Sequence, residues 1–181
     1  MHQRLTLVGY RGSGNTTVGR LVAQALGWAF VDVDAEIERR AGQSIASLFT
    51  TQGEAAFRDL ESLVLAEVLA SGRNEVVSTG GGCILREENR AWLRSHGGVI
   101  AYLEAPAAVL QQRLRQDQPT RPSLTGTSAI DEVPRVLAER EAIYRRIASA
   151  IVPADRQAVT IAQDLIRLVE NWSNGRKHTM A

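Results

Sequence analysis

Short apolar runs alternate along this chain with longer stretches in which apolar residues recur every three or four positions. The short runs have the length of buried strands, and the spaced stretches have the periodicity of helices. The pattern predicts strands at 4–8, 28–34, 75–78, 98–103 and 149–152. It predicts helices at 16–26, 35–41, 44–51, 54–69, 86–95, 106–116, about 130–147 and about 157–172. Because helices separate the strands, we expect one α/β domain over residues 1–172 with a parallel sheet.

Two segments do not belong to this alternation. Residues 117–128 contain two prolines, a glycine and several hydroxyl side chains, and they predict one long loop. A loop of this length inside a compact domain is usually functional or mobile. Residues 173–181 are polar, and we expect them to form a frayed C-terminal tail.

Length, composition and charge argue against several classes of protein. No apolar run reaches the roughly 20 residues that a membrane span requires, and the start of the chain does not have the pattern of a signal peptide. The net charge of +1, from 21 basic and 20 acidic residues, argues against a surface that binds nucleic acid or membranes. The single cysteine, Cys83, has no partner for an internal disulfide. We therefore expect a cytoplasmic protein.

The segment 9–17 lies between the first predicted strand and the first predicted helix, and it matches a phosphate-binding loop at all but one position. The pattern is G-x-x-x-x-G-K-[ST], and Gly9, Gly14 and Thr16 occupy the glycine and hydroxyl positions. Backbone N–H groups of such a loop bind phosphate oxygens, and the hydroxyl reaches a Mg²⁺ ion on the same phosphates. The residues expected to hold a nucleotide here are Gly12, Ser13, Gly14, Asn15, Thr16 and Thr17.

The departure is Asn15, which stands where the pattern has lysine. Lys177, in the predicted tail, is the only lysine of the chain. Asparagine donates a hydrogen bond but has no charge, and losing the cation is expected to cost about 3–5 kcal/mol of transition-state stabilisation. Two alternatives stay open: Arg11 supplies the missing cation, or the chain is impaired.

Two aspartates end the second predicted strand. Side chains alternate along a strand, so Asp32 and Asp34 are expected on one side and Val33 on the other. Ligands bind at the carboxyl ends of parallel strands, which would place both carboxylates near the phosphate loop. The alternative for Asp34 is that it only caps the helix that follows.

Four further groups of residues do not indicate a function when each is considered separately. Arg58 and Glu61 fit a surface ion pair as well as an anion site, and residues 80–82, three glycines, fit a plain turn as well as a close approach of ligand to backbone. Arg121-Pro122 lies in the long loop, and Arg140-Glu141-x-x-Tyr144 lies on the helix after it.

Taken together and in this order, these motifs resemble shikimate kinase over about residues 4–170. The resemblance implies a three-layer α/β fold of the P-loop, nucleoside monophosphate kinase type, with a five-stranded parallel sheet. It implies transfer of the γ-phosphoryl group of ATP to the 3-hydroxyl of shikimate, with Mg²⁺, in a monomer. Residues 121–126 are most similar to the branch with R-P-x-L-T-G in its lid, which would span about 117–128.

Roles then carry over position by position. Asp34 would bind the shikimate hydroxyls and accept the proton, Thr16 and Asp32 would hold Mg²⁺, and Asn15 stands at the catalytic lysine position. The residues expected to bind shikimate are Asp34, Arg58, Gly80, Gly81 and Arg140, with Glu61 orienting Arg58. Arg121 would contact the phosphates as a catalytic residue, and Arg113 and Arg156 would contact the adenine.

Three functional readings follow. The first is a shikimate kinase that is active or weakened by Asn15. The second is a protein that binds shikimate and nucleotide without useful turnover. The third is a related kinase for another hydroxylated acid, against which the matches at Asp34, Arg58 and Arg140 argue. We expect shikimate binding to survive and turnover to be much lower than with lysine at position 15.

Overall fold

The structure is a computed structural model that describes residues 3–116 and 129–179, with side chains through 173 in its last helix. Its strands are β1 (Arg4–Val8), β2 (Ala29–Asp32), β3 (Glu75–Ser78), β4 (Val99–Glu104) and β5 (Ala150–Pro153). Its helices are α1 (Asn15–Leu26), α2 (Val33–Ala41), α3 (Ile45–Ala70), α4 (Glu87–His96), α5 (Ala107–Gln116), α6 (Val133–Ile147) and α7 (Ala158–Thr179). The predicted loop over residues 117–128 lies outside the described residues.

The five strands form one parallel sheet in the order β2-β3-β1-β4-β5. Strand β1 is central, and its Leu5 is in register with Val76 of β3 on one side and Val99 of β4 on the other. The strand order reverses at β1, because β3 and β4 lie on opposite sides of it. In open α/β sheets ligands bind at the carboxyl edge beside such a reversal.

Hydrophobic side chains form two clusters, one on each face of the sheet. Leu5 and Leu7 of β1 belong to the cluster that contains α1 and α7, and Val8 belongs to the cluster that contains α2 and α3. These three side chains are 0% exposed, and burying each contributes about 1.5–3 kcal/mol to folding. Helices therefore cover both faces, which confirms the predicted three-layer α/β fold.

The second strand ends earlier than the alternation of its residues predicts. Strand β2 stops at Asp32, and Val33 and Asp34 already belong to α2. The Asp32 side chain is the reason, since its Oδ1 accepts the N–H groups of Asp34 (3.1 Å) and Ala35 (3.3 Å) at the start of the helix. The helix cap predicted as the alternative for Asp34 is thus made by Asp32.

Helix boundaries show further differences. The predicted helices 44–51 and 54–69 are joined in α3, with a break at Gly53 (φ 82°, ψ 172°). A short 3₁₀ helix at Cys83–Leu85 was not predicted. Helix α7 continues to Thr179, so residues 173–179 are helical rather than a frayed tail. A loss of apolar residues indicated the end of this helix, but no proline stops the backbone there. In the described part of the chain, no helix is long and apolar enough to span a membrane.

Candidate active site

A cavity of about 790 Å³ opens at the carboxyl edge of the sheet, where β1 and β3 end. The residues predicted from the sequence that line it are Gly12, Ser13, Gly14, Asn15, Thr16, Thr17, Asp34, Gly80, Gly81, Arg113 and Arg156. Asp32, Arg58 and Arg140 do not line the cavity. Asp32 and Arg140 contact the lining residues Thr16 and Gly81, and Arg58 lies against Gly82. Arg121, predicted to contact the phosphates, belongs to the segment that the structure does not describe.

The loop between β1 and α1 has the backbone conformation that phosphate binding requires. Gly12 and Gly14 have positive φ angles of 81° and 99°, which favour glycine because it lacks Cβ. The N–H of Ser13 donates to the Tyr10 carbonyl (3.0 Å) and closes the turn. Helix α1 starts at Asn15 directly after Gly14, so its first N–H groups and its dipole favour an anion in the cavity.

The side chain of Asn15 is buried against the wall of the cavity, with 8% exposed. Its Nδ2 donates to the Thr79 carbonyl (3.3 Å), and its Oδ1 accepts from the Ser13 hydroxyl (3.1 Å). The amide therefore ties the phosphate loop to the end of β3. Position 15 brings no positive charge to the phosphates.

Arg11, which the sequence leaves open as a substitute for that charge, forms an ion pair with another residue. Its Nη2 forms an ion pair with Glu132, whose side chain is fully buried just before α6. The charge of Arg11 is thus balanced by a carboxylate of the protein itself. In this conformation Arg11 does not replace the lysine.

Thr16 and Asp32 place two side-chain oxygen atoms next to each other at the phosphate loop. The Thr16 hydroxyl donates to Oδ2 of Asp32 (2.7 Å), while Oδ1 of Asp32 caps α2. Asp34, two residues further along the chain, lines the cavity. The sequence prediction that both carboxylates lie near the loop is confirmed, although Asp34 reaches the cavity from a helix rather than from a strand.

The three glycines after β3 each lie against a different part of the site. A Cβ on Gly80 would lie 2.7 Å from Oδ1 of Asp34, and one on Gly82 would lie 2.4 Å from Nη1 of Arg58. A Cβ on Gly81 would lie 3.2 Å from the Gly9 carbonyl of the phosphate loop. The glycine run is therefore the surface on which a carboxylate, a guanidinium and the phosphate loop converge.

Arg58, on α3, is held by two carboxylates. Its Nη1 donates to Glu61 (2.7 Å), and its Nε and Nη2 donate to Glu54 (3.3 and 3.2 Å). Glu61 is 1% exposed; burial raises the pKa of its carboxyl, and the charge of Arg58 opposes that rise. The Arg58–Glu61 pair is therefore buried, which excludes the alternative of a surface ion pair.

Arg140, on α6, is a buried cation with little to balance it. It is 9% exposed, and its Nη1 donates to the Gly81 carbonyl at the long distance of 3.4 Å. The Tyr144 hydroxyl donates to the same carbonyl at 2.5 Å. Among the described residues no carboxylate forms an ion pair with Arg140. Its charge acts on the Glu61 carboxyl only from a distance, and a buried guanidinium without a direct carboxylate partner favours an anionic ligand.

Arg113 and Arg156, the predicted adenine contacts, lie on the nucleotide side of the cavity. Arg113 donates to the carbonyls of Gly12 (3.1 Å), Ser13 (3.3 Å) and Ala154 (2.7 Å), and so braces the phosphate loop against the loop after β5. Arg156 forms an ion pair with Asp164 (2.8 Å). Contact of either side chain with adenine stays a prediction.

Sequence reasoning missed several residues of the site. Glu54 precedes Arg58 by one helical turn, and that spacing was a usable signal for the contact. Gly82 belongs to the glycine run 80–82, of which the sequence analysis assigns only Gly80 and Gly81 to the site. Tyr10 and Glu132 had no signal of their own, because their partners lie on other elements.

Comparisons with known proteins agree with this geometry. The family model described as "Shikimate kinase" matches residues 11–170. The shikimate kinase of Oleidesulfovibrio alaskensis is 46% identical over 169 residues, which cover 92% of this chain and 97% of that protein. Shikimate kinase 2 of Yersinia pestis is 40% identical over 171 residues, covering 93% of this chain and 97% of that protein.

Solved structures give the same result. The shikimate kinase from Acinetobacter baumannii in complex with shikimate has a TM-score of 0.88 at 34% identity, and the match covers 94% of each chain. The shikimate kinase from Aquifex aeolicus has a TM-score of 0.79 at 33% identity, covering 93% of this chain and 96% of that one. This chain belongs to the shikimate kinase family.

Proposed function

We propose that the chain transfers the γ-phosphoryl group of ATP to the 3-hydroxyl of shikimate, at a rate lowered by Asn15. One observation carries the proposal: the phosphate-binding loop and the Asp34 carboxylate line one cavity, and two buried arginines, Arg58 and Arg140, lie against the glycine run 80–82 beside it. Phosphoryl transfer depends chiefly on positioning and charge neutralisation. The arrangement supplies both, since the glycine run joins the phosphate loop to the two arginines.

The acceptor side is formed by Arg58 and Arg140. Guanidinium groups bind carboxylates through two parallel hydrogen bonds, and shikimate carries one carboxylate. Arg140 lacks an ion-pair partner among the described residues, and Arg58 is fixed in place by Glu54 and Glu61. Gly80 lies against Asp34 and Gly81 lies against the phosphate loop, and we assign contact with the ring of the acceptor to these two glycines.

Asp34 is the proposed general base. It lines the cavity between the phosphate loop and the glycine run, where an acceptor hydroxyl would face the phosphates. As a carboxylate it would bind that hydroxyl and take its proton as the phosphoryl group transfers.

Mg²⁺ fits the paired oxygens of Thr16 and Asp32, which lie 2.7 Å apart at the loop. In the described chain no cluster of three or more His, Cys, Asp or Glu residues could hold a metal. The protein would therefore supply one or two ligands, and phosphate and water the rest, as is usual for Mg²⁺. The ion would neutralise phosphate charge when bound.

On the nucleotide side we assign the backbone of 12–17 to the phosphates and Arg113 and Arg156 to the adenine. Arg121 is proposed to contact the phosphates. We also propose a cytoplasmic monomer. A single buried cysteine, Cys83, is consistent with a reducing compartment.

The test is ADP formation by the purified chain with ATP, Mg²⁺ and shikimate, with the product identified by mass spectrometry. We expect ADP to form only with shikimate, and shikimate 3-phosphate to accumulate. Asp34→Asn is expected to lower kcat about 10²- to 10⁴-fold. The matched control is Glu36→Gln, on the same helix but paired with Arg39 at the surface, which should leave kcat unchanged. Turnover of a different hydroxylated acid, with none of shikimate, would refute the substrate.

A further inference from the structure

Tyr10, the second residue of the phosphate loop, lies beside two cations. Its ring centroid is 5.9 Å from the guanidinium carbon of Arg11 and 6.0 Å from that of Arg140. Both distances are within the roughly 6 Å reach of a cation–π contact. The side chain lines the cavity and is only 2% exposed, so water does not weaken these contacts.

The two guanidinium groups differ in what else holds them. Arg11 has the buried Glu132 carboxylate as its partner. Arg140 has no carboxylate partner in the described chain, and its hydrogen bond to Gly81 is long at 3.4 Å. The Tyr10 ring and the Tyr144 hydroxyl are therefore the side chains that contact Arg140.

This kind of contact suits an arginine that must bind an anion. A carboxylate partner balances the charge of the guanidinium and occupies some of its donors, as Glu54 and Glu61 do for Arg58. An aromatic face holds the cation through its quadrupole and leaves the charge and the hydrogen-bond donors available. Arg58 also lies over an aromatic ring, that of Phe57 (5.0 Å), but it has two glutamates as ion-pair partners as well.

We propose that Tyr10 is a positioning residue for acceptor binding: its buried ring orients Arg140 toward the carboxylate of the acceptor. This inference rests on the proposed role of Arg140. It assigns a phosphate-loop side chain to the acceptor rather than to ATP. The hydroxyl is not part of the proposal, because Oη of Tyr10 forms no hydrogen bond of normal geometry with the described residues.

The test is calorimetric titration of shikimate, without ATP, into the wild type, Tyr10→Phe and Tyr10→Leu, followed by titration of ATP–Mg²⁺. Tyr10→Leu is expected to weaken shikimate binding roughly tenfold and to leave ATP binding unchanged. Tyr10→Phe, which keeps the ring, should bind shikimate like the wild type. A thermal melt of each variant checks that it is folded.

Two further variants make the test specific. In the background of Arg140→Met, Tyr10→Leu should have no further effect on shikimate binding, because the ring acts through that arginine. Phe30→Leu is the matched control, since Phe30 has a similar contact with Arg20 (5.6 Å) away from the cavity, and it should not change shikimate binding.

Several outcomes would overturn the inference. They are an equal loss of ATP and shikimate affinity in Tyr10→Leu, an equal effect of Tyr10→Phe, or full additivity with Arg140→Met. A wild type that binds no shikimate overturns the proposed function and this inference with it. A wild type that binds shikimate, with Tyr10→Leu unchanged, overturns this inference alone.

Discussion

At the scale of single residues, position 15 decides how much charge meets the phosphates. Asn15 uses its amide to join Ser13 and Thr79, and Arg11 is neutralised by Glu132. The loop thus keeps the backbone of a phosphate site without the cation that usually completes it. Binding and catalysis should separate here, because backbone N–H groups bind the ground state and the cation stabilises developing charge.

A lysine at position 15 tests this separation of binding from catalysis. Asn15→Lys is expected to raise kcat about 10²- to 10⁴-fold, since a cation in a site with little water strongly stabilises charge in the transition state. Steady-state ADP formation measures it. Asn15→Gln, which is longer but neutral, is the control and should bring no gain. Equal rates for Asn15→Lys and the wild type would contradict the role of Asn15 and make Arg11 the next residue to replace.

The raised pKa of Glu61 predicts that shikimate binding depends on pH. Burial raises the pKa of its carboxyl above the ordinary value of 4.5. The folded chain therefore holds this proton at a pH where the unfolded chain has lost it, so the contribution of Glu61 to stability falls as pH rises through that window. Its ion pair with Arg58 has the opposite dependence, because only the ionised carboxylate attracts the guanidinium.

The expected result is that the Kd for shikimate rises as pH falls, beginning above the ordinary range of a glutamate. Calorimetric titrations at a series of pH values measure it. Glu61→Gln keeps a hydrogen-bond acceptor for Arg58 but does not titrate, so its Kd should be higher at neutral pH and change less with pH. A pH profile that is the same in both proteins would assign the dependence to another group.

At the scale of elements, the glycine turn after β3 leaves space for two functional side chains. Gly80 lies against Asp34 and Gly82 lies against Arg58, so two side chains of opposite charge depend on the absence of a Cβ in one short segment. In each case the crowded atoms are the far ends of side chains. An added methyl group would displace the functional side chain rather than the backbone.

Alanine substitutions in this turn should therefore change function more than stability. Gly82→Ala is expected to raise the KM for shikimate by moving Arg58, and Gly80→Ala is expected to lower kcat by moving Asp34. Steady-state kinetics and thermal melts of both variants measure the two effects.

Gly97→Ala is the matched control. Its Cβ would meet the Leu93 carbonyl at 2.4 Å, a backbone atom, so it should lower the Tm without changing the KM for shikimate. A loss of stability in Gly82→Ala as large as in Gly97→Ala, with KM unchanged, would contradict the role of Gly82.

At the scale of the whole molecule, one edge of the sheet forms the candidate active site and the opposite edge contributes to stability. The carboxyl ends of the strands hold the cavity, and the amino ends are closed by a buried ion pair. Arg4 of β1 donates to Glu75 of β3 (2.5 and 2.9 Å) and to the carbonyls of Leu69 and His96 (both 2.6 Å). Both side chains of the pair are almost fully buried. Stability and activity should therefore be separable by position along the strands.

Arg4→Met is expected to lower the free energy of unfolding by about 3–5 kcal/mol, because it leaves the Glu75 carboxylate buried without its main partner. The KM values for shikimate and ATP should not change, since the site lies at the opposite edge of the sheet. Urea unfolding and steady-state kinetics measure the two quantities.

Arg73→Met is the control, because Arg73 contacts the same glutamate (3.2 Å) but is mostly exposed. It should lower the free energy of unfolding by less than about 1 kcal/mol. Equal destabilisation by both substitutions would contradict the argument from burial.

Local pattern determined the elements of this fold and the positions of its phosphate loop. Apolar spacing placed the strands and most helices, because each strand buries a run of residues and each helix buries one side. Apolar spacing is a wrong guide at Asp32, where a side-chain cap ends β2, and at the end of α7, where the helix continues through polar residues. Both errors concern hydrogen bonds of the backbone, which apolar spacing does not report.

The sequence by itself thus determined the fold class, the phosphate loop with its missing lysine, and a pair of aspartates near it. Only the tertiary structure decided that Arg11 is neutralised by Glu132, that Arg140 is a buried cation beside Tyr10, and that Gly82 lies against Arg58. The reason is physical. Loops, helices and strands follow from neighbours a few positions apart, whereas the charge balance of a site depends on side chains that distant elements bring together when the core packs.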